Sequence, residues 1–324
     1  MRPKNIAIIL LNWNGKNDSL ECLASLKKLN YPHYKIILAD NGSVDNSIQI
    51  LSALHPEILL VDNKKNLGFA EGNNRAILIA LEMNFDYIVL LNNDTTVDPF
   101  FLDAFLSLDA QHPRHILGGK ICLYSQPDLL DHLGGTWDKS KAAFNLLGYR
   151  KKAHLFLEDY LVDYVTGCCL FASREIFEKV GLLDARFFLY WEESDFCQRA
   201  KKLGFLSKVC SQAKIFHKVS ASFIGGKPHT SYFYWRNRLL YTEKNLPLHE
   251  LICAWLCIFI PSIFKLIRHY FLLHLQQIFT RLFKPGNKEK KQEQILIIKA
   301  SLSGIKDYLL RRFYEGPSWI FKKN

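Results

Sequence analysis

Four short polar clusters punctuate the apolar first third of the chain: Asn12-Trp13-Asn14-Gly15, Asp40-Asn41-Gly42, Asn66-Leu67-Gly68 and Asn92-Asn93-Asp94. A carboxylate at a strand end can accept an imide N–H such as N3–H of uracil or thymine, and Asp40 is placed to read a nucleotide base in that way. An Asp-Asn-Gly sequence is equally the composition of a plain turn. Asp94 follows the strongly apolar Tyr87 to Leu91. It is a natural ligand for Mg²⁺ or Mn²⁺, because such ions take one or two carboxylates and complete their shell with phosphate oxygens and water. An ion there would neutralise the charge that grows on a departing diphosphate. Asn92 and Asn93 stand where a second carboxylate would strengthen this reading, and asparagines also serve as helix caps.

A second concentration of chemistry lies about a hundred residues later, in Trp191-Glu192-Glu193-Ser194-Asp195. Three carboxylates at the start of a helix offer a general base for an attacking hydroxyl. Acids in a first helical turn are also favoured by the helix dipole. The aromatic run from Phe187 to Trp191 favours the base reading, since it can wall a sugar ring and raise the basicity of a neighbouring carboxylate. His217, after the strand-like Ala213 to Phe216, can give a metal nitrogen or a supporting contact.

The elements that carry these residues follow a βαβ rhythm. Apolar runs at Ile6 to Leu11, Ile36 to Ala39, Ile58 to Val61 and Tyr87 to Leu91 read as strands. Between them lie a helix capped at Asp18 or Ser19, one capped at Ser43, one from Phe69 to Asn84, and one opened by Asp98 with Pro99 at its first position. This is an α/β, doubly wound half, in which ligands bind beyond the carboxyl ends of the strands. From Ile116 the period is less regular and reads as an acceptor side; Val162 to Phe171 suggests a strand, Ser173 caps a short helix, and Glu193 to Lys202 forms a helix closed by Gly204. The division expected is 1–245 for the catalytic domain, with a nucleotide half 1–115 and an acceptor half 116–245, and 246–324 for a helical extension.

The net charge is +11, and thirteen Lys+Arg against five acids from Glu250 onward account for eight of it. Cationic residues mixed with strongly apolar ones suit a membrane surface rather than a nucleic acid. The uninterrupted apolar stretch Leu251 to Phe264 is shorter than the roughly 20 residues of a transmembrane helix. An interfacial or re-entrant amphipathic element is therefore expected, followed by a solvated linker at Lys288 to Glu293 and a helix from Ile295 to Phe313 offering Lys299, Lys306, Arg311 and Arg312 to headgroups. The eight cysteines form no Cys-x-x-Cys pair, and the N-terminus passes into a strand without a cleavage signal. Reduced core thiols on the cytosolic side are the expectation.

Taken in order, LNWNG (11–15), DNGSVDNS (40–47), NLGFAEGNN (66–74), LLNNDT (90–95), TGCCLF (166–171), FFLYWEESDFCQR (187–199), FHK (216–218) and YWRNRL (234–239) resemble the inverting family 2 glycosyltransferases of GT-A fold. The nearest branch is the rhamnosyltransferase-like one that builds bacterial surface polysaccharides, and the likeness runs from Ile6 to about Asn245. It implies a GT-A fold, a dTDP- or UDP-sugar donor, a lipid-linked glycan acceptor, Mg²⁺ or Mn²⁺, and a peripheral place on the cytoplasmic face of the bacterial inner membrane. It implies that Asp40 contacts the base, that Asn66 and Gly68 shape the nucleotide pocket, and that Asn12, Asn92 and Asn93 belong to the donor side. Asp94 becomes the final carboxylate of a metal motif written Asn-Asn-Asp, with His217 on the metal or diphosphate. Glu193 falls where the family places its base, as Glu in place of Asp, and leaves Glu192 and Asp195 as competitors. Arg236 and Asn237 match a recurring pair without a derived role.

Two other classes fit less well. A sugar-phosphate nucleotidyltransferase needs a glycine-rich basic loop after the first strand, which Asn12 to Lys16 does not supply. A non-catalytic nucleotide-sugar binding module leaves the Trp191 to Asp195 cluster without a purpose.

Overall fold

A computed structural model describes residues 2–219, 227–283 and 288–321. The strands are β1 (Ile6–Asn12), β2 (Tyr34–Asp40), β3 (Leu59–Asp62), β4 (Tyr87–Asn92), β5 (Thr95–Val97), β6 (His115–Leu123), β7 (Gly135–Asp138), β8 (Ala143–Leu146), β9 (Leu161–Val162), β10 (Cys169–Ser173) and β11 (Leu206–His217). The helices are α1 (Lys16–Leu26), α2 (Ser47–Leu54), α3 (Gly68–Glu82), α4 (Phe101–Gln111), α5 (Arg174–Val180), α6 (Glu192–Lys202), α7 (Pro228–Asn245), α8 (Leu248–Ala254), α9 (Ile260–Phe283) and α10 (Lys288–Leu309). By compactness the chain divides in two. One unit holds the residues up to Thr136, Asn145–Phe188 and Glu192–Val219, and the other holds Trp137–Phe144, Leu189–Trp191 and the residues after Val219.

In the first unit a nine-stranded sheet runs in the order β3-β2-β1-β4-β10-β6-β11-β5, with β9 on β11. β1, β2, β3 and β4 are parallel, as the alternation of strand and helix predicts. The sheet then turns mixed, since β10 runs antiparallel to β4. Alternate residues of the strands serve opposite faces. Ile6, Ile8 and Leu10 of β1 pack with Cys22, Leu23 and Leu26 of α1 and with Phe101 and Phe105 of α4 in one core layer.

Several expected boundaries shift. The strand expected over Val162 to Phe171 is two strands, β9 and β10, with the intervening residues in a loop. Ser43 does not cap α2, which starts at Ser47 behind Asn46. Directly after the Asn92-Asn93-Asp94 cluster, Thr95–Val97 forms a further strand paired with β11.

In the second unit α7 packs along α10. Gly304 permits this, because a Cβ there would lie 2.3 Å from the carbonyl oxygen of Tyr232. Tyr232 Oη donates to Asp307 at 2.7 Å, and Tyr308 Oη donates to Glu243 at 2.6 Å. α7 falls in the same compact unit as the elements after residue 245. The predicted linker at Lys288 to Glu293 is the first turn and a half of α10. Of the cations expected at a membrane, Lys284, Lys322 and Lys323 lie outside the described residues, Lys299 sits 5.0 Å over the ring of Trp319, and Arg311 pairs with Glu243.

The apolar stretch is longer than its sequence suggests. Pro261 lacks an N–H and its ring crowds the carbonyl four residues back. A π-helical turn at Trp255–Phe259 widens the backbone just ahead of it, so α8 and α9 continue as one helix. Leu248–Gln276, 29 residues, is long and apolar enough to cross a membrane and mostly exposed. At 1.5 Å per residue it extends about 44 Å, against a hydrocarbon core of about 30 Å. The helix thus extends well beyond the uninterrupted apolar stretch Leu251 to Phe264 on which the sequence expectation rests. Six of the cysteines are buried, and Cys253 and Cys257 are exposed on this helix.

Candidate active site

Parallel register aligns the first polar cluster. Asn12 of β1 stands opposite Asp40 of β2, and Leu11 stands opposite Asn92 of β4. Asp40 is wholly buried. Its Oδ2 accepts from Asn12 Nδ2 at 2.7 Å and its Oδ1 accepts from the Ser43 backbone N–H at 2.8 Å. Asn93 Nδ2 donates to Asn12 Oδ1 at 3.1 Å and to Ser19 Oγ at 2.9 Å. One continuous network thus ties the β1–α1 loop to the turns after β2 and β4. Asp40 and Asn93 already act here as fasteners, and a base contact by Asp40 would use the lone pairs that its two acceptor bonds leave over.

Asn66 and Gly68 build the N-terminus of α3. Asn66 Oδ1 accepts from Gly68 N–H at 2.9 Å, and Gly68 has φ +75°. The carbonyl of Phe188 accepts from Phe69 N–H at 2.6 Å, and a Cβ on Gly68 would lie 2.4 Å from that oxygen. Only glycine combines this backbone angle with so close an approach. Gly68→Ala is therefore expected to cost about 2–3 kcal/mol of stability, from left-handed strain and from displacement of the 188 carbonyl. Urea unfolding would measure it; an unchanged midpoint would mean that the Phe188 loop is free to retreat.

Asp94 lies in the tight turn between β4 and β5. Thr95 pairs with His217 across the β5–β11 ladder, which brings Asp94 beside the imidazole. His217 Nε2 is 3.3 Å from Asp94 Oδ1, and His217 Nδ1 donates to Asp131 Oδ2 at 2.9 Å. Burial alone would lower the histidine's pKa. Cys168 and the two carboxylates outweigh it and hold the imidazole well above its ordinary value. Burial also pushes the Cys168 thiol up, so the aspartates carry the effect. Burial would likewise raise Asp131, but its bond to His217 keeps it below the usual carboxylate range. Asp131 went unnoticed in the sequence because it sits in the irregular stretch after β6. Its only signal there is an acid directly before His132 and the Gly134-Gly135 pair.

Among the described residues no group of three or more His, Cys, Asp or Glu is arranged to hold an ion by itself. The donor set at Asp94 nonetheless fits a divalent cation that shares its shell with phosphate. Adjacent ligands of an octahedral ion at 2.0–2.1 Å lie about 3 Å apart, close to the 3.3 Å between Asp94 Oδ1 and His217 Nε2. That nitrogen is buried without a hydrogen bond of good geometry. Asp131, bound to Nδ1, fixes the ring so that Nε2 faces Asp94, as carboxylates do behind metal-bound histidines.

The carboxylates of α6 separate on inspection. Asp195 is fully buried and paired with Arg199 Nε at 2.9 Å, while Arg199 also donates to the carbonyls of Val180 and Leu182. This ion pair lies within α6 and engages the carboxylate with a neighbouring cation. Glu192 is buried and Glu193 half-buried. A Cβ on Gly167 would be 3.0 Å from the Phe69 ring and 3.8 Å from Glu193 Cβ. The next residue, Cys168, accepts through its carbonyl from Asn92 N–H at 2.9 Å. The Thr166-Gly167-Cys168-Cys169 segment thus lies between Glu193 and the end of β4, and the missing side chain at 167 leaves room for the Phe69 ring. The expected aromatic wall is not one surface: Phe187 and Phe188 are buried in the first unit, and Trp191 packs on Phe144, Tyr234 and Tyr241 in the second.

Polar residues gathered at the carboxyl ends of parallel strands, a carboxylate–imidazole pair suited to a shared cation, and an acidic helix whose first turn lies beside Gly167 define an α/β nucleotide-sugar transferase of GT-A type. Residues 7–181 match the model of glycosyl transferase family 2, and the chain belongs to that family. It is a glycosyltransferase enzyme, similar to rhamnosyltransferases. It is 28% identical over 218 residues to an N-acetylglucosaminyl-diphospho-decaprenol L-rhamnosyltransferase of Mycobacterium tuberculosis, covering 60% of this chain and 70% of that one. It is 20% identical over 264 residues to the dTDP-rhamnosyl transferase RfbF of Shigella flexneri, covering 74% and 81%. Among solved structures, the mannosyltransferase PcManGT from Pyrobaculum calidifontis, in complex with GDP-Man and Mn²⁺, shares the fold with a TM-score of 0.56 at 13% identity, over 96% of this chain and 89% of that one.

Proposed function

We propose that the chain transfers rhamnose or a similar hexose, with inversion, from a dTDP- or UDP-linked donor to a lipid-linked glycan at the cytoplasmic face of the bacterial inner membrane. The observation that carries this reading is the convergence of Asp94–His217 and the Glu193 turn of α6 on the Gly167-Cys168 spacer. The M. tuberculosis relative is named for rhamnosyl transfer to N-acetylglucosaminyl-diphospho-decaprenol, which supports the choice of acceptor. The exposed apolar helix Leu248–Gln276 supports membrane attachment.

In this mechanism the Asp40–Asn12–Asn93 network orders the donor-side loops, and Asp40 reads the base. Asp94 and His217 would hold Mg²⁺ or Mn²⁺, with Asp131 steadying the imidazole; such an ion would supply neutralisation of the charge on the leaving diphosphate. Glu193 accepts the proton of the acceptor hydroxyl as that oxygen attacks the anomeric carbon from the face opposite the diphosphate.

The test is to incubate membranes bearing the chain with a panel of labelled nucleotide sugars, with Mg²⁺, with Mn²⁺ and with chelator. One dTDP- or UDP-hexose should label an organic-extractable lipid, and chelator should remove the signal. Donor hydrolysis with no labelled lipid would sink the acceptor assignment. The protein should also stay with the membranes through a high-salt wash; release by salt alone would leave the cationic tail, and not the helix, as its anchor.

A further inference from the structure

The segment that leads into α6 has an improbable backbone. Phe188, Tyr190 and Trp191 have φ of 63°, 67° and 75°. None is glycine, and bulky side chains in the left-handed region are strained. Such a turn persists only where its surroundings hold it.

Within the second unit, α7 supplies the hold. Its buried residues Arg236, Asn237 and Arg238 each reach backbone carbonyls in or beside a left-handed turn. Arg236 Nη1 donates to Tyr314 O at 2.6 Å, where Tyr314 has φ 68°. Arg238 Nε donates to Ala142 O at 2.9 Å, where Ala142 has φ 46°. Asn237 Nδ2 donates to two consecutive carbonyls, Leu189 O at 2.8 Å and Tyr190 O at 2.9 Å. Its Oδ1 accepts from Arg236 Nε at 2.9 Å, which fixes the amide so that both its hydrogens face the turn. A guanidinium only donates and an amide does both, so Arg236 followed by Asn237 is a pair in which the first orients the second.

We infer that Asn237, oriented by Arg236, is a positioning residue: it locks the 189–191 turn and so fixes the direction in which the chain enters α6 with Glu192 and Glu193. This rests on the reading of Glu193 as the base. It assigns a role to the Arg-Asn pair that the sequence left without one. A purely structural role would affect stability alone, whereas positioning affects turnover in enzyme that is fully folded.

The experiment compares Asn237→Asp, Tyr190→Gly and the double variant in the full chain. Asp keeps the size and the acceptor for Arg236, but it replaces the double donor with an oxygen that repels both carbonyls. Amide hydrogen exchange over residues 188–193 should accelerate at least tenfold in Asn237→Asp. kcat should fall at least tenfold with the donor KM within twofold, the pattern of a group needed in the transition state and not in donor binding. Tyr190→Gly in the Asn237→Asp background should restore part of kcat, because glycine takes positive φ without strain. Should Asn237→Asp not fold, Asn237→Ala removes the donors without the repulsion and carries the same expectations. Unchanged exchange at 188–193 overturns the inference whatever the activity, and faster exchange with unchanged kcat overturns it too. Failure of the Glu193 reading is registered separately, by Glu193→Gln retaining full transfer while the exchange result stands.

Discussion

Asp94→Ala is expected to lower kcat/KM for sugar transfer by on the order of 10³-fold or more, the scale of losing electrostatic stabilisation of a developing charge. Asp94 is the one carboxylate in the Asn92-Asn93-Asp94 turn, and its Oδ1 faces His217 Nε2 at 3.3 Å. A truncated side chain leaves the proposed cation with the imidazole as its nearest protein ligand, which is insufficient for an oxygen-preferring ion. The fold should survive. β4 and β5 are held by backbone pairing, and Lys218 N–H bonds the backbone carbonyl of residue 94, which the substitution keeps. A stability loss of about 1–3 kcal/mol from breaking a buried charged contact is anticipated, measurable by thermal unfolding. Calorimetric Mn²⁺ titration in the presence of nucleoside diphosphate would separate lost binding from lost structure. Full transfer by a folded Asp94→Ala protein would remove Asp94 from the mechanism.

Glu193→Gln should reduce kcat by about 10²–10⁴-fold, the usual contribution of a positioned general base, while leaving the donor KM within about threefold. Glutamine has the same shape and keeps the approach to Gly167, so donor binding and stability are preserved. Only the capacity to take a proton is lost. Glu192 provides the comparison: it is buried, and Glu192→Gln should cost less than tenfold. A larger loss at 192 than at 193 would transfer the base to Glu192. Neither result bears on Asp195, whose salt bridge to Arg199 makes its substitution a stability experiment.

Much of this architecture is local and therefore legible from sequence. The apolar runs ending in Asn12, Asp40 and Asn92 become parallel strands because β-branched and aliphatic residues buried on both faces have few other solutions. Parallel register then forces their polar ends into one row. What stayed hidden depends on distant partners. Asp131 shows no periodicity, and its meaning comes from His217, 86 residues away. The aromatic run Phe187 to Trp191 reads as a wall, yet its rings divide between two compact units because three positive-φ residues turn the chain. Leu251 to Phe264 reads as too short for a membrane because the uninterrupted apolar run falls below the roughly 20 residues of a span, whereas the helix that carries it runs on through a π-helical turn and Pro261 from Leu248 to Gln276.

The sequence by itself determined the class of enzyme, the donor-side strand ends and the pair of carboxylate regions, because those follow from hydrophobic period and from residue types that act where they stand. Only the tertiary structure decided which groups meet. It showed that Asp40 and Asn93 are fastened into a network, that Asp195 is paired with Arg199, that Asp94 faces His217, and that Glu193 lies beside the Gly167-Cys168 segment that bonds the end of β4. Hydrogen bonds and ion pairs between residues far apart in the chain depend on ångström distances fixed by packing, and no local pattern encodes those distances.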